Sequence, residues 1–521
     1  MIKIYIDNTE YRVPDGLSVL AAARLQGIEV PSMCYREGKQ HFTSCMICMV
    51  KEQESGVLFP SCSVKVKEGL HYITTDEEIN ESRQTALELL LSEHTGDCEA
   101  PCQLSCPAHM DIPRMNRLLS DGEFDKALKV IKEDIPLPSV FGRICPAPCE
   151  GACRRKSVDT AVSICLLKRY AGDHELVQHE EYLPEKSKPS GKKVAIIGAG
   201  PAGLAAAYYL QVKGHQCDVY DRRKLPGGSL WEEVTGGKLE EAVLRQEIGR
   251  IEKLGAWFYP STEVDPSNFR RLEKEFDAIL ISSGSLDEEH DPFGIERSDK
   301  GVKADRQTYQ TGTEKVFAAG SAVRNSRMAI KPLGEGKEAA ASIDQYLRGE
   351  KVTGTSKVFN SRFGPLLAEE LGEYMKEGNA GERIEPAVIK DGYTKEDVRA
   401  EASRCLHCDC RALDDCKLRT LSDEYQAKQK RFWSQDRKKV EKYNQHEFVI
   451  YEPNKCIKCG ICVRIAEEHK EKFGLSFIGR GFDVVIGVPF GEALSAGLEE
   501  VARQVVEECP TGALASRELD K

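Results

Sequence analysis

The stretch Lys192–Asp221, KKVAIIGAGPAGLAAAYYLQVKGHQCDVYD, decides how the rest of this chain is read. An apolar strand over Val194–Ile197 runs into Gly198-x-Gly200-x-x-Gly203, then an Ala-rich helix opened by Pro201 and Ala202, then a second strand ending at Asp221. Each part has a physical task. Gly198 permits a tight turn, Gly200 lets the backbone approach a pyrophosphate, and Gly203 lets helix and strand pack closely. The helix N-terminus offers free N–H groups and partial positive charge to phosphates, and Asp221 can accept hydrogen bonds from ribose hydroxyls. Strand, glycine turn, helix and distal acid together predict a dinucleotide-binding βαβ unit; the bland alternative is a tightly packed unit that binds nothing.

A chain of 521 residues holds more than one domain. With 73 basic against 84 acidic residues and a net charge of −11, nothing points to nucleic acid. The chain opens on a strand, Ile2–Ile6, and has no apolar run long enough to span a membrane. The expectation is a soluble cytoplasmic protein. Twenty cysteines are the outstanding feature, and all but Cys217 fall in tight groups. Disulfide scaffolds belong to small secreted chains, so these cysteines read as metal ligands. Zinc would accept Cys-x-x-Cys pairs too; the spacings favour iron–sulfur clusters and hence an anaerobic or strongly reducing cytoplasm.

Residues 1–75 read as a small β-rich domain with a helix near Val19–Gln26. Its Cys34, Cys45, Cys48 and Cys62 follow a C-x10-C-x2-C-x13-C pattern that fits a [2Fe–2S] centre. This stretch resembles the N-terminal domain of the large iron–sulfur subunit of respiratory complex I, related to domains of iron-only hydrogenases and formate dehydrogenases. Thr75-x-x-Glu78 reads as a capping box for a helix with Ile79, Ala86, Leu87, Leu90 and Leu91 on one face, delivering His94 and Cys98 at its end. His94 is either a helix cap or a cluster ligand, as in the complex I family.

From Cys98 the run through Cys102, Cys106-Pro, Cys145, Cys149 and Cys153 is similar to the helical N-terminal domain of the glutamate synthase small subunit. Dihydropyrimidine dehydrogenase and the NADPH:ferredoxin transhydrogenase large subunit share that domain. The resemblance implies two [4Fe–4S] clusters with interleaved ligands: His94, Cys98, Cys102 and Cys153 for one; Cys106, Cys145, Cys149 and a fourth group for the other. The family's Glu/Gln ligand position falls near Lys168, which cannot ligate while charged. Cys165, one helical turn earlier, is the substitute, unless it is a plain core cysteine.

Residues 183–191 form a Pro/Ser/Lys linker into the nucleotide domain. Beyond Asp221 and Arg222, the turn at Gly228 and Ser229 resembles one lying against FAD in this flavoprotein family. The strand ending at Gly284 and the element KVFAAG ending at Gly320, with Leu333 in the helix that follows, resemble its later FAD contacts. Ser321 stands where the family has an Asp toward the ribityl chain. The family inserts a second, NADPH-binding Rossmann domain between these last two strands. Here only 31 residues separate Gly284 from Val316, and a nucleotide domain needs on the order of 100. The flavin therefore lacks a nicotinamide site of its own.

Residues 351–425 read as a linker whose Cys405, Cys408, Cys410 and Cys416 fall within twelve residues, dense enough for a [4Fe–4S] cube or zinc, with His407 as an alternative ligand. The basic run Lys428–Lys442 reads as a helix, either a solvated face or a docking surface for an acidic partner such as ferredoxin. The chain closes on Cys456-x2-Cys459-x2-Cys462 with a remote Cys509-Pro, a ferredoxin signature for one [4Fe–4S] cluster, again resembling complex I.

The expected fold class is multidomain α/β plus α+β. An N-terminal [2Fe–2S] ferredoxin-like β-grasp (1–75) precedes a helical double-cluster domain (76–185) and a Rossmann-type FAD domain (190–350). The Cys-rich linker (351–425) and a C-terminal [4Fe–4S] ferredoxin-like domain (445–521) follow. FAD, one [2Fe–2S] and four [4Fe–4S] clusters describe an electron-transferring oxidoreductase subunit, bifurcating by resemblance only. Expected partners are an NAD(P)H/FMN subunit, or a molybdenum, tungsten or hydrogenase catalytic subunit, or ferredoxin. No catalytic acid–base residue is identified. The alternative is a self-contained FAD reductase acting on a small substrate or on NAD(P)H.

Overall fold

The computed structural model describes residues 1–178, 181–285, 293–432 and 438–518. The chain divides into two compact units. The first comprises Met1–Glu99, Val358–Lys376 and Cys408–Lys521; the second comprises Ala100–Lys357 and Glu377–His407.

In the first unit, the alternating strands Ile2–Ile6 and Thr9–Val13 form a hairpin through Asp7 and Asn8, both at positive φ. Ile2–Ile6 then pairs in parallel with His71–Ile73, which joins Met49–Glu52 and Leu58–Pro60 in a five-stranded sheet. The helix Val19–Leu25, capped by Ser18, buries Val19, Leu20, Ala22 and Ala23 against Ile4, Ile6 and Val13. Each such side chain contributes roughly 1.5–3 kcal/mol by leaving water. This is the β-grasp expected from the sequence.

The next helix, Glu77–Glu93, buries Ile79, Leu87 and Leu91 as the periodicity predicts. Its cap is one residue later than expected. Asp76, not Thr75, accepts the Ile79 N–H at 2.8 Å, because a carboxylate also paired with Lys51 outcompetes a hydroxyl. In the C-terminal part, Val449–Tyr451 pairs antiparallel with Leu514–Ser516, beside the helices Ile461–Glu468 and Ala502–Glu508. One hydrophobic cluster joins Met33 and Ile47 to Leu87, Leu418, Ile465 and Val505, so segments from both ends of the chain share a core.

The basic run is not a helix among the described residues; 433–437 lie outside them. Several of its charges are used internally: Arg431 pairs with Glu88, Lys438 with Glu93, and buried Lys442 lies 4.2 Å over the Tyr374 ring.

The second unit begins with short helices. Pro138–Ile144 packs against Ile164–Val177 through glycines: a Cβ on Gly142 would come within 2.4 Å of the Arg169 Cβ. A five-stranded parallel sheet follows, in the order Val316–Ala318, Ala278–Ile281, Lys193–Ile197, Gln216–Tyr220, Trp257–Tyr259. The helices Pro201–Val212 and Ile330–Leu347 pack on each other, Gly336 taking the close approach to the Ala202 carbonyl. The helix Lys395–Ala402 starts at a capping box of Thr394 and Asp397.

Two arginines, each 1 % exposed, tie the Cys153 and Cys405 segments into this unit. Arg404 bonds Asp159 at 2.9 Å and Glu401 at 2.8 Å, while Arg155 grips Asp159 and the Asn379 carbonyl. Arg404→Met leaves the fully buried Glu401 without its countercharge. The expected loss is about 3–5 kcal/mol of unfolding free energy, read from the denaturant midpoint of the second unit's transition.

Candidate functional site

The β-grasp positions its four thiols on loops around the sheet edge, where Thr43 and Met46 at positive φ turn the backbone around the sulfurs. Cys34, Cys45, Cys48 and Cys62 are all buried. They associate as two pairs. The Cys45 thiol donates to Cys34 and, despite burial, backbone N–H groups add to hold Cys34 down at about 5. The Cys48 thiol likewise lowers Cys62, while Cys45 and Cys48 are pushed up. Two pairs of thiols are the arrangement a two-iron core needs, one pair per iron, with binding displacing the remaining protons.

In the C-terminal part, Cys456, Cys459, Cys462 and Cys509 surround a small cavity of about 20 Å³ walled by Tyr451, Ile461, Ile486 and Leu514. Lys458 and Gly460 at positive φ wrap the loop, and the Lys458 N–H points at the Cys456 sulfur at 3.3 Å. Burial raises all four thiols, Cys456 to about 11. Gly460 is covered by Phe42 from the first cysteine loop: a Cβ there would lie 2.4 Å from the ring. The Arg464 guanidinium stacks on the same ring at 4.6 Å. The Cys34 charge also reaches Cys459, so the two thiol sets are neighbours.

In the second unit, Cys106, Cys145, Cys149 and Cys165 are brought together around Lys168. This lysine is 3 % exposed. Burial opposes its charge, but Cys165, Cys145, Cys149 and Cys106 outweigh it and raise its pKa. Cys165 is bonded to Cys145, which lowers it, and to Cys149, which with burial takes it up to about 12. The Cys165 N–H is fixed by Glu150 at 3.0 Å.

The sequence grouped Cys98 with His94, Cys102 and Cys153; the structure sets Cys98 beside Cys410 and Cys416. His94 faces a different neighbourhood, a 260 Å³ pocket with Cys45, Cys456, Lys438 and Lys455. Burial first, then the Lys455 and Lys438 charges, hold it down at about 3, and its Nδ1 is buried without a partner. Cys102 lies on the helix Pro101–Ser105, Cys153 precedes the turn Arg154–Ser157, and Cys405 follows Arg404, all in the second unit. Cys408 belongs to the first. Arg117 reaches His407 Nδ1 at 3.4 Å. Among the described residues, no three or more His, Cys, Asp or Glu side chains are arranged to hold a single metal ion.

The nucleotide turn is built as its glycines require. Gly198, at φ +104°, leaves no room for a Cβ against the Ser282 carbonyl, and Gly203 would place one 1.9 Å from the Gly198 oxygen. Gly200 faces Gly228, whose Cβ would fall 2.7 Å from the Gly200 Cα. The bare backbone of this turn lies at the start of the helix opened by Pro201 and Ala202, where N–H groups can meet a phosphate. Asp221 secures the turn, accepting from the Ala199 and Arg223 N–H groups at 2.7 Å each. Arg222 and Ser229 are exposed, Gly284 bends at φ +81°, and Leu333 is buried. The Ser283 hydroxyl is buried without a partner. This cradle fits a dinucleotide.

Two residues at the turn escaped the sequence reading. Arg223 donates to the Gly228 carbonyl at 2.6 Å, and Glu335 accepts the Gly320 N–H at 3.0 Å. Glu335, flanked by Gly334 and Gly336, carried a signal only in that spacing. Lys455, buried and paired with Glu452 at 2.5 Å, was also missed because lysine before a cysteine is unremarked in sequence.

Family models match four stretches. Residues 1–77 match a 2Fe-2S iron–sulfur cluster binding domain, and 73–180 match dihydropyrimidine dehydrogenase domain II with a 4Fe-4S cluster. Residues 196–261 match an NAD(P)-binding Rossmann-like domain, and 447–515 the ferredoxin-like domain of NADH-quinone oxidoreductase subunit 3. The chain is 40 % identical over 210 residues to the NADPH-Fe(3+) oxidoreductase subunit beta of Geobacter sulfurreducens, covering 39 % of this chain and 30 % of that one. It is 34 % identical over 207 residues to the NADP(+)-dependent formate dehydrogenase subunit beta of Moorella thermoacetica, covering 36 % of this chain and 29 % of that one. It is 34 % identical over 219 residues to the glutamate synthase [NADPH] small chain of Bacillus subtilis, covering 40 % of this chain and 44 % of that one. The chain spans less than half the length of each of these relatives. The expected resemblances and the four-part fold class therefore hold. Among the described residues no helix is long and apolar enough to cross a membrane.

Gly203→Ala cannot be accommodated without opening the first βαβ unit. The expected result is loss of bound dinucleotide, measured by chromatography of nucleotide released on denaturation, with the visible absorbance of the N-terminal centre retained.

Proposed function

We propose that this chain is an iron–sulfur flavoprotein subunit of a multi-subunit cytoplasmic redox complex, moving electrons between FAD and a chain of clusters. The observation that carries the reading is the contiguity of sulfur sets within the first unit. Phe42 of the Cys34–Cys62 loop seats on Gly460 of the Cys456–Cys462 loop, and the Cys34 charge reaches Cys459. Adjacent centres suit single-electron passage.

When bound, FAD exchanges electrons in pairs and the clusters exchange them singly. The residues divide the remaining work. Cys34, Cys45, Cys48 and Cys62 hold the [2Fe–2S] centre. Cys456, Cys459, Cys462 and Cys509 hold one [4Fe–4S] cluster, and Cys106, Cys145, Cys149 and Cys165 hold another, with Lys168 as its buried countercharge. Two further [4Fe–4S] clusters draw on His94, Cys98, Cys102, Cys153, Cys405, Cys408, Cys410 and Cys416. Gly200, Gly228 and the helix start at Pro201 bind the FAD pyrophosphate, Asp221 orients its ribose, and Gly320, Ser321 and Glu335 shape the flavin side. The stretch Gly284–Val316 leaves no room for a nicotinamide domain, so the flavin exchanges electrons through clusters or a partner. That partner is an NAD(P)H/FMN subunit, a molybdenum, tungsten or hydrogenase catalytic subunit, or ferredoxin.

Anaerobic isolation with its native partners, followed by reduction of the separated chain, tests this. Iron with acid-labile sulfide, and a flavin that NAD(P)H bleaches only when the partner is restored, are expected. Bleaching by NAD(P)H of the isolated chain, or zinc without sulfide in the thiol sets, overturns the reading.

A further inference from the structure

The four family matches leave residues 262–446 uncovered, and the cysteine run Cys405–Cys416 lies within that gap. We infer that Cys98, Cys410 and Cys416 are ligands of one and the same [4Fe–4S] cluster, built between the end of the N-terminal helix segment and the C-terminal cysteine run. The inference rests on the iron–sulfur reading of the thiols; what it adds is which cysteines share a metal core, and where that core lies.

The two segments are locked side by side by their own backbones. The Cys410 N–H donates to the Cys98 carbonyl at 2.9 Å. One residue past Cys98, Glu99 forms an ion pair at 2.6 Å with Arg419, three residues past Cys416. Arg419 also donates to the Phe359 carbonyl at 2.8 Å and the Leu413 carbonyl at 3.2 Å, closing the loop that carries Cys410 and Cys416. The three thiols are only 6–7 % exposed. The Cys98 thiol stands within electrostatic reach of Cys410, and the Cys416 thiol within reach of both.

A purely structural role for three buried cysteines would set each sulfur against apolar side chains. Here the Ser361 N–H points at the Cys98 sulfur at 3.4 Å, the kind of hydrogen bond that stabilises a metal-bound thiolate. Buried Lys455 adds a cation near Cys410, offsetting the negative charge a thiolate-bound cluster brings into the interior. Three thiols occupy three irons of the cube, and the fourth iron takes a further donor.

The site also has a neighbour. Gly512 follows Cys509 by three residues, and a Cβ there would fall 2.2 Å from the Cys410 sulfur. The turn that carries Cys509 is therefore in contact with Cys410, and Leu418 reinforces the seam by donating to the Pro510 carbonyl at 3.3 Å. Together with Phe42 on Gly460, this orders three centres in the first unit: the Cys34–Cys62 set, the Cys456–Cys509 set, then the Cys98–Cys410–Cys416 set. Clusters held by the last two sets would exchange electrons one at a time, with no bond made or broken.

The test uses the full chain, isolated anaerobically and reconstituted with ferrous iron and sulfide. Cys98→Ser and Cys410→Ser should each lose about four iron atoms, and the double variant should lose no more than either single one. A double variant that loses twice as much overturns the grouping, because the two cysteines then serve different clusters. Should a substitution unfold the chain, the unaltered protein answers: during slow oxidative cluster loss, alkylation mapped by mass spectrometry should label Cys98, Cys410 and Cys416 at one common rate. Labelling of Cys98 in step with Cys102 and Cys153, at a rate apart from Cys410 and Cys416, overturns it equally. Zinc without sulfide would instead overturn the iron–sulfur reading itself, a result separate from either.

Discussion

The constraint on which this structure turns is the cost of keeping thiolate charge out of water. Metal-binding sulfurs must be anionic, and an anion buried without compensation is expensive. The chain meets that cost in three ways. Paired thiols share protons before metal binds, as between Cys34 and Cys45. Backbone N–H groups from Ser361 and Lys458 point at sulfur. Lysines are drawn fully inside, Lys168 among four thiols and Lys455 near Cys410, where lysine is otherwise rarely found.

The first unit draws on both ends of the chain. Its β-grasp and its C-terminal ferredoxin-like part share a hydrophobic cluster running from Met33 to Val505, and the loops bearing their sulfurs touch through Phe42 and Gly460. Glycine serves one purpose at both seams. At Gly460 it admits an aromatic ring, and at Gly512 it admits a sulfur. The second unit uses glycine in the same way, where Gly200 and Gly228 let two turns meet backbone to backbone.

Much of this was legible from local pattern. Strand alternation gave the β-grasp hairpin, the G-x-G-x-x-G turn with Asp221 gave the parallel sheet, and Cys-x2-Cys-x2-Cys with a remote Cys-Pro gave the C-terminal set. These signals survive because each depends on residues within a few positions of one another, or on one glycine whose role is steric. The helix cap moved by one residue because Asp76 has a partner, Lys51, that lies in another strand. The basic run read as a helix because its composition favours one; the structure spends Arg431, Lys438 and Lys442 on acidic and aromatic partners from distant segments.

By itself, then, the sequence determined the kinds of element present and the residue types they offer: clustered thiols, a glycine turn at the start of a helix, and an interval of only 31 residues between Gly284 and Val316. Which thiols stand together was decided only by the tertiary structure. Spacing ranks cysteines by their distance along the chain, and it grouped Cys98 with Cys102. A hydrogen bond from Cys410 and an ion pair between Glu99 and Arg419 bring Cys98 to a segment some three hundred residues away. The burial of Lys168 and Lys455 was decided there too, because a lysine's countercharge is a property of its surroundings and leaves no trace in its neighbours along the chain.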